Sequence, residues 1–180
     1  LSGGVTVPAY TTYTERDYEY IIDDCTPAII IISDKKQYEK IKNIIPKKNF
    51  IKKIIFFENT NNINSDFNLN INDIFNKKNF NQLNFFNLKI QRKDISCIIY
   101  TSGTQGNPKG VILSHGGILS NCEGAHSLLK TFISHKPKFL TWLPLSHSYE
   151  HTVQFVQIVT GAKVFYAESI DKLIKNMSDC

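Results

Sequence analysis

Residues 98–113 read IIYTSGTQGNPKGVIL, and this stretch decides the fold that we expect for the chain. An apolar run enters a short turn rich in hydroxyl groups and glycine, and a second apolar run leaves it. Gly103, Gly106 and Gly110 permit backbone conformations and a close approach that a Cβ would block, so successive N–H groups can point at one anion. Lys109 adds a positive charge. The stretch therefore predicts a strand, a phosphate-binding turn and a second strand.

The side chains of this turn indicate how a phosphate would be held. Three of them offer hydroxyl donors, namely Thr101, Ser102 and Thr104. The spacing differs from a Walker A loop, in which Ser or Thr follows the lysine and opens a helix, because Gly110 and an apolar run follow Lys109. Pro108 stiffens the exit of the turn. A plain hairpin turn without a ligand is the alternative interpretation.

The composition sets limits on the class of protein. The chain has 180 residues, of which 42% are hydrophobic, so it can bury one sizeable core. It begins at Leu1 and its only methionine is Met177, from which we expect a piece of a longer protein. The four cysteines form no CxxC pair, which argues against a zinc site or a disulfide framework and predicts a reducing, intracellular setting.

Hydropathy and charge argue against two further classes. No apolar run approaches the roughly 20 residues that span a bilayer, and the start lacks the order of a signal peptide. The net charge of +5 favours a solvated face over a nucleic-acid site, because no recognised binding module accompanies it. Much of the positive charge comes from four spread lysine pairs, at 35–36, 47–48, 52–53 and 77–78.

The first third of the chain alternates helix and strand patterns. Thr14 can cap a helix over residues 15–24, and residues 28–32 form an apolar run typical of a strand covered on both faces. A second helix, capped by Ser33 or Asp34, would end at Pro46 and be followed by a strand over 51–57. Its apolar positions are Tyr38, Ile41, Ile44 and Ile45. This order predicts a right-handed parallel crossover and an α/β fold, with a mixed, largely parallel sheet flanked by helices.

Asparagine dominates residues 59–87, with Ile, Phe and Lys between, and no period persists there. The composition is that of a low-complexity tract. We therefore expect an insertion or a long surface loop, which should tolerate deletion better than its surroundings.

The second half predicts further elements around the turn. Strands are expected over 94–100 and 109–113, with Cys97 in the core, and then a helix over 115–130 capped by Ser114. Its apolar positions are Ile118, Leu119, Cys122 and Leu128. Four more elements are expected after this helix. They are a strand from Lys138, a helix from Ser146 or Ser148 toward Thr160 with Gly161 beyond it, a strand over 163–167 and a short helix capped by Ser169.

His147, Glu150 and His151 fit the pattern H-x-x-E-H. On a helix this pattern can place two imidazoles on one face to bind zinc, with the glutamate as general base. A third ligand is missing, and a five-residue pattern often occurs by chance. Histidines that cap or pack at the start of a helix are the favoured alternative to a zinc hydrolase.

Two motifs together resemble the adenylate-forming superfamily of acyl-CoA synthetases. The superfamily signature Tyr-Thr-Ser-Gly-Thr-Thr-Gly-x-Pro-Lys-Gly matches residues 100–110, except that Gln105 stands where Thr or Ser is usual. Long-chain members carry Leu-Pro-Leu-Ala-His-x-x-Glu about this far beyond it, similar to residues 143–150. Residues 3–12 are also similar to the start of the family's first crossover. The chain thus resembles a long-chain fatty acyl-CoA synthetase, and residues 1–180 resemble a fragment of its N-terminal AMP-binding domain.

The resemblance implies a reaction and its participants. The longer enzyme would use ATP and Mg²⁺ to convert a fatty acid to an acyl-adenylate, and would then pass the acyl group to coenzyme A. His147 would lie by the acyl carboxylate as the catalytic residue, while Glu150 fixes local structure. The β- and γ-phosphates would be held by Thr101, Ser102, Gly103, Thr104, Gln105, Gly106 and Lys109.

Three expectations about the longer enzyme accompany this resemblance. These 180 residues alone should be inactive or nearly so, because the family's later adenine-binding and Mg²⁺-binding segments are not among them. A cytoplasmic location or the cytosolic face of a membrane, with peripheral membrane association, is expected, and no nucleic-acid partner. An adenylating enzyme for another carboxylate is the alternative function.

Overall fold

The computed structural model describes residues 3–58, 68–76, 89–101, 107–132 and 136–179. The chain forms two compact units, of which the first is drawn from residues 11–87 and the second comprises residues 1–10, 88–101 and 109–180. The predicted α/β class is confirmed, and most strand pairs are parallel. The described strands form three small sheets.

The first unit builds one parallel sheet. Its strands run in the order β1-β2-β3, with Ile30 opposite Ile54 and Ile55 opposite Leu69. The predicted parallel crossover is therefore confirmed. The elements are α1 (Glu15–Cys25), β1 (Ile29–Ile32), α2 (Lys35–Ile41), β2 (Lys53–Phe56), β3 (Asn68–Asn70) and α3 (Ile71–Asn76).

The start of α1 is fixed by local hydrogen bonds, as predicted from Thr14. The Asp17 N–H donates to Thr14 Oγ1 at 3.3 Å, and the Thr14 N–H donates to the Asp17 carboxylate at 2.9 Å. This reciprocal pair forms a capping box. It also lowers the pKa of the Asp17 carboxyl, chiefly through the Thr14 hydroxyl. The helix ends at Cys25, and the C-cap residue Thr26 has a left-handed φ of 42°.

The second helix is shorter than its apolar pattern predicts. Asp34 caps α2 through a 2.9 Å bond from the Gln37 N–H, but the α-helix ends at Ile41. A separate 3-10 turn follows over Ile45–Lys47 and includes Pro46. The prediction that one helix runs on to Pro46 was wrong, since the turn buries Ile45 without a continuous helix.

One face of β1 is open, contrary to the prediction of a strand covered on both faces. Ile32 is buried and Ile30 packs against the core, whereas Ile29 and Ile31 are 53% and 60% exposed. Successive side chains of a strand point to opposite faces. Four consecutive isoleucines carry no alternation, so the sequence could not distinguish one covered face from two.

The asparagine-rich segment contains two short elements that its composition did not predict, β3 and α3. Backbone pairing with β2 holds β3 despite the low strand propensity of asparagine. Asn70 also donates to the Glu58 carbonyl at 2.9 Å. Residues 59–67 and 77–88 lie outside the described ranges, so the insertion or surface loop stays a prediction.

The described residues of the second unit form two two-stranded sheets and three α-helices. The β4 and β5 strands are antiparallel, and β6 and β7 are parallel. Near the start of the chain, Thr6 forms an isolated bridge to Cys97. The elements are β4 (Ile95–Thr101), β5 (Lys109–Ser114), α4 (His115–Phe132), β6 (Lys138–Thr141), α5 (Ser148–Val159), β7 (Lys163–Tyr166), a 3-10 turn (Ile170–Lys172) and α6 (Leu173–Asp179).

The core of the second unit joins β4, α4 and α5. Its buried members are Cys97, Ile99, Ile118, Cys122 and Val156. Cys97 and Cys122 are 0% and 2% exposed, which confirms the core position predicted for Cys97, and this burial raises the pKa of both thiols.

Two of the four apolar positions predicted for α4 were wrong. Leu119 and Leu128 are 42% and 65% exposed. The stripe that faces the core continues from Ile118 and Cys122 to Ala125 and Leu129. Their spacing of four, three and four residues follows one side of a helix.

Alanine substitutions at two glycines of α4 should have opposite effects on the free energy of unfolding. A Cβ on Gly116 would lie 2.8 Å from the Arg92 carbonyl oxygen, to which the Gly116 N–H donates, whereas a Cβ on Gly124 would meet nothing within 4 Å. We expect Gly116→Ala to lower the free energy of unfolding by about 1–3 kcal/mol because the backbone must shift. We expect Gly124→Ala to raise it by up to about 1 kcal/mol. Urea denaturation of both variants checks this, and equal effects would contradict it.

Candidate functional site

The candidate phosphate turn begins and ends on a strand pair. Thr101 closes β4 and Lys109 opens β5, and these two residues are partners in the antiparallel register. Thr101 Oγ1 lies 3.5 Å from the Lys109 carbonyl oxygen, the outer limit of a hydrogen bond. Both residues are exposed. A residue with a hydroxyl donor and a residue with an ammonium group are thus cross-strand partners where the two strands meet the turn.

Ser102, Gly103, Thr104, Gln105 and Gly106 lie outside the described residues. Their assignment to the β- and γ-phosphates stays a prediction. The described ends of the turn show that its two flanking strands are paired up to Thr101 and Lys109.

Gly110 has a structural role that the motif did not indicate. It lies opposite Tyr100 in the strand register. A Cβ there would come within 3.0 Å of Ile98 Cγ2 and 3.2 Å of Tyr100 Cζ. The close approach predicted for this glycine is therefore made to side chains of β4.

His147 is the N-cap of α5. Its backbone is extended, and the Tyr149 N–H donates to His147 Nδ1 at 3.2 Å. The interpretation of His147 as a capping histidine is confirmed. Because Nδ1 accepts a hydrogen bond, the neutral ring carries its proton on Nε2. His147 can then donate one hydrogen bond from Nε2 to an anionic oxygen.

The zinc interpretation of H-x-x-E-H is unsupported. A zinc ion on His147 Nε2 would need a lone pair there, and hence a proton on Nδ1, where the Tyr149 N–H already donates. Within the described part of the chain, no group of three or more His, Cys, Asp or Glu side chains could hold a metal ion.

Four buried polar residues around α5 were missed as a group by the sequence analysis. Gln157 donates to Thr141 Oγ1 at 3.0 Å, which ties α5 to the end of β6. Ser146 and Glu150 are 4% and 3% exposed, and neither Ser146 Oγ nor Glu150 Oε1 has a hydrogen-bond partner among the described residues. Glu150 lies in the first turn of α5, where the helix dipole stabilises a negative charge. The seven-residue spacing of Glu150 and Gln157 was the available signal.

One core supports both parts of the candidate site. Ile99 lies two residues before Thr101, and Val156 lies in the helix that His147 caps, and both side chains belong to the same buried cluster. The end of β4 and the helix α5 are therefore held by a common packing unit.

Solved structures share this fold. The inhibitor-bound N-terminal domain of FACL13 from Mycobacterium tuberculosis superimposes with a TM-score of 0.74 at 19% identity, over 97% of this chain and 41% of that one. A red-emitting luciferase from Phrixothrix hirtus gives a TM-score of 0.73 at 20% identity, over 93% of this chain and 32% of that one. The fold class is that of the large N-terminal domain of adenylate-forming enzymes.

The sequence itself identifies the family. Residues 1–179 match the family described as AMP-binding enzyme, and this chain belongs to that family. Similar curated proteins include long chain acyl-CoA synthetase 3 of Arabidopsis thaliana, 29% identical over 96% of this chain, and the long-chain-fatty-acid–CoA ligase ACSBG2 of Mus musculus, 33% identical over 93%. The chain spans only 27% and 26% of their lengths. The resemblance predicted from the two motifs is confirmed.

Proposed function

We propose that the protein to which this chain belongs is an ATP-dependent long-chain fatty acid–CoA ligase. In its first step a carboxylate oxygen of the fatty acid would attack the α-phosphorus of ATP, and pyrophosphate would leave. In the second, the thiol of coenzyme A would attack the acyl carbon, and AMP would leave. Membership of the AMP-binding family and the names of the similar curated proteins support this proposal.

The pairing of Thr101 with Lys109 is the observation that carries the phosphate part of the proposal. The first step brings two anions together, so it depends on charge neutralisation and positioning. Lys109 is exposed and forms no ion pair with any described residue, which leaves its ammonium group available to a phosphate. Thr101 can donate from its hydroxyl, because its present hydrogen bond is long.

Thr101, at the described start of this turn, could contribute a ligand to a bound Mg²⁺. The ion prefers oxygen ligands, and Thr101 carries its hydroxyl oxygen on an exposed residue. When bound with ATP, Mg²⁺ neutralises phosphate charge. Lys109 would then complement the ion as a second positive charge.

His147 would act at the acyl carboxylate. In the capped tautomer its Nε2–H can donate to a carboxylate oxygen, which would orient the nucleophile toward ATP. Glu150, buried in the first turn of α5, would stabilise the local structure and not take part in the chemistry.

The test uses the full-length protein. ATP–pyrophosphate exchange is measured with palmitate, acetate and an amino acid, together with formation of the corresponding CoA thioester. We expect exchange and thioester formation with palmitate. Exchange with acetate or the amino acid alone would favour an adenylating enzyme for another carboxylate, and no exchange with any of the three would overturn the proposal.

Peripheral membrane association belongs to the same proposal. A long-chain fatty acid partitions into membranes through its acyl chain, so an enzyme that takes it up benefits from contact with the bilayer surface. In the part of the chain that the structure describes, no helix has the length and apolar character to cross a membrane. Flotation of the full-length protein with vesicles checks the association.

A further inference from the structure

We propose that His151 is a positioning residue that holds the loop before α5, and with it His147, in the geometry that the reaction needs. This inference rests on the proposed function. The proposed function gives a role to His147 and to Glu150 of the H-x-x-E-H pattern, but none to His151.

Three hydrogen bonds define the loop of residues 144–147. The His147 N–H donates to the Pro144 carbonyl at 2.8 Å, which closes a tight turn. The His151 N–H donates to the His147 carbonyl at 2.9 Å as the first bond of the helix. The third bond joins His151 Nδ1 to the Leu145 carbonyl oxygen at 3.2 Å. His151 thus contacts the loop through both its backbone and its ring.

The partner of the ring fixes its tautomer. A carbonyl oxygen can only accept, so His151 must carry a proton on Nδ1. His147 has the opposite arrangement, because its Nδ1 accepts from the Tyr149 N–H. The two histidines therefore differ in role: His147 carries its N–H on Nε2, away from the cap bond, whereas His151 uses its N–H on Nδ1 to hold the loop.

Packing keeps the His151 ring in place. The ring is half-buried and meets Phe155 edge-on, with 5.4 Å between the ring centroids and an interplanar angle of 69°. Phe155 in turn packs against the core that contains Ile99 and Val156. A chain of contacts thus joins the core of the second unit to the Leu145 carbonyl.

Loss of the ring bond should therefore act on the chemical step. Without this hydrogen bond, the His151 ring no longer holds the loop at Leu145, and the direction of His147 Nε2 becomes less well defined. A displacement of the order of 1 Å can cost about 100-fold in rate. ATP binding at the turn that follows β4 should change little.

The experiment compares His151→Asn with His151→Leu in the full-length protein. The Asn amide can replace Nδ1–H as a donor to the Leu145 carbonyl, whereas Leu has a similar size and no donor. Palmitate-dependent ATP–pyrophosphate exchange gives kcat and the KM for ATP, and NMR of protein labelled at histidine ¹³Cε1 reports on the His147 ring. His126→Leu, on α4, is the control.

We expect His151→Leu to lower kcat about 10- to 100-fold with the KM for ATP nearly unchanged, and His151→Asn to restore most of it. The His147 signal should shift or broaden in the Leu variant and not in the Asn variant. Equal kcat values for the Leu and Asn variants, or an unchanged His147 signal in both, would overturn the role of His151. A wild-type protein without exchange activity would instead overturn the proposed function, while the NMR comparison would still decide whether His151 positions His147.

Discussion

Lys109→Ala should lower kcat/KM for ATP in pyrophosphate exchange about 100-fold, the scale of losing one preorganised group that stabilises a developing charge. The reason is the position of Lys109, which opens β5 beside Thr101 and is exposed without a partner ion among the described residues. The free energy of unfolding should change by less than about 0.5 kcal/mol, since an exposed side chain is removed. Exchange kinetics and urea denaturation of the full-length protein measure both quantities.

Lys130→Ala is the matched control for this variant. Lys130 is an exposed lysine in the last turn of α4 and has no assigned role. Its replacement should leave exchange within about twofold of the wild type. If Lys109→Ala behaves like Lys130→Ala, the ammonium group does not neutralise phosphate charge, and the plain hairpin turn becomes the better interpretation of residues 101–109.

Replacement of His147 should separate its structural role from its chemical role. Asn is among the best N-cap residues, so His147→Asn should retain the cap of α5 that Nδ1 now provides, whereas His147→Ala should lose about 1 kcal/mol of stability. Neither variant presents the Nε2–H. We therefore expect both to lower acyl-adenylate formation, by about 10- to 100-fold, while only the Ala variant is destabilised.

Thermal denaturation measures the stability of the two variants, and palmitate-dependent exchange measures their rate of acyl-adenylate formation. If His147→Asn retains the wild-type rate, the imidazole serves only as a cap. If the Ala variant loses rate in proportion to its stability and the Asn variant loses neither, the same conclusion follows. His126→Asn, at a position without an assigned role, controls for the general effect of replacing a histidine.

Local chemistry along the chain was enough to predict most elements. Thr14 and Asp34 are short polar residues that accept from nearby N–H groups, so they mark where α1 and α2 begin. The strands around residues 101–109 were likewise predicted, because apolar runs flank a turn of glycine and hydroxyl residues. The order of the two motifs also predicted the family, which the match over residues 1–179 confirmed.

The sequence predictions were wrong where the burial of a side chain depends on the element that faces it. The four isoleucines of β1 are chemically alike, and only the packing of the first unit decides that Ile32 is buried while Ile31 is 60% exposed. The same holds for Leu128, which lies off the stripe of α4 that meets the core. Burial depends on the facing element, and no local pattern contains that element.

The sequence by itself determined the order of most elements, including the two strands that flank the glycine-rich segment, and the family. Those features depend on backbone propensity and on residue types at short spacing. Only the tertiary structure decided the roles of His147 and His151, because a ring nitrogen becomes a donor or an acceptor according to the group placed opposite it. The Tyr149 N–H and the Leu145 carbonyl lie within a few residues of these rings, but the turn at Pro144 and the packing of Phe155 bring them to the nitrogens.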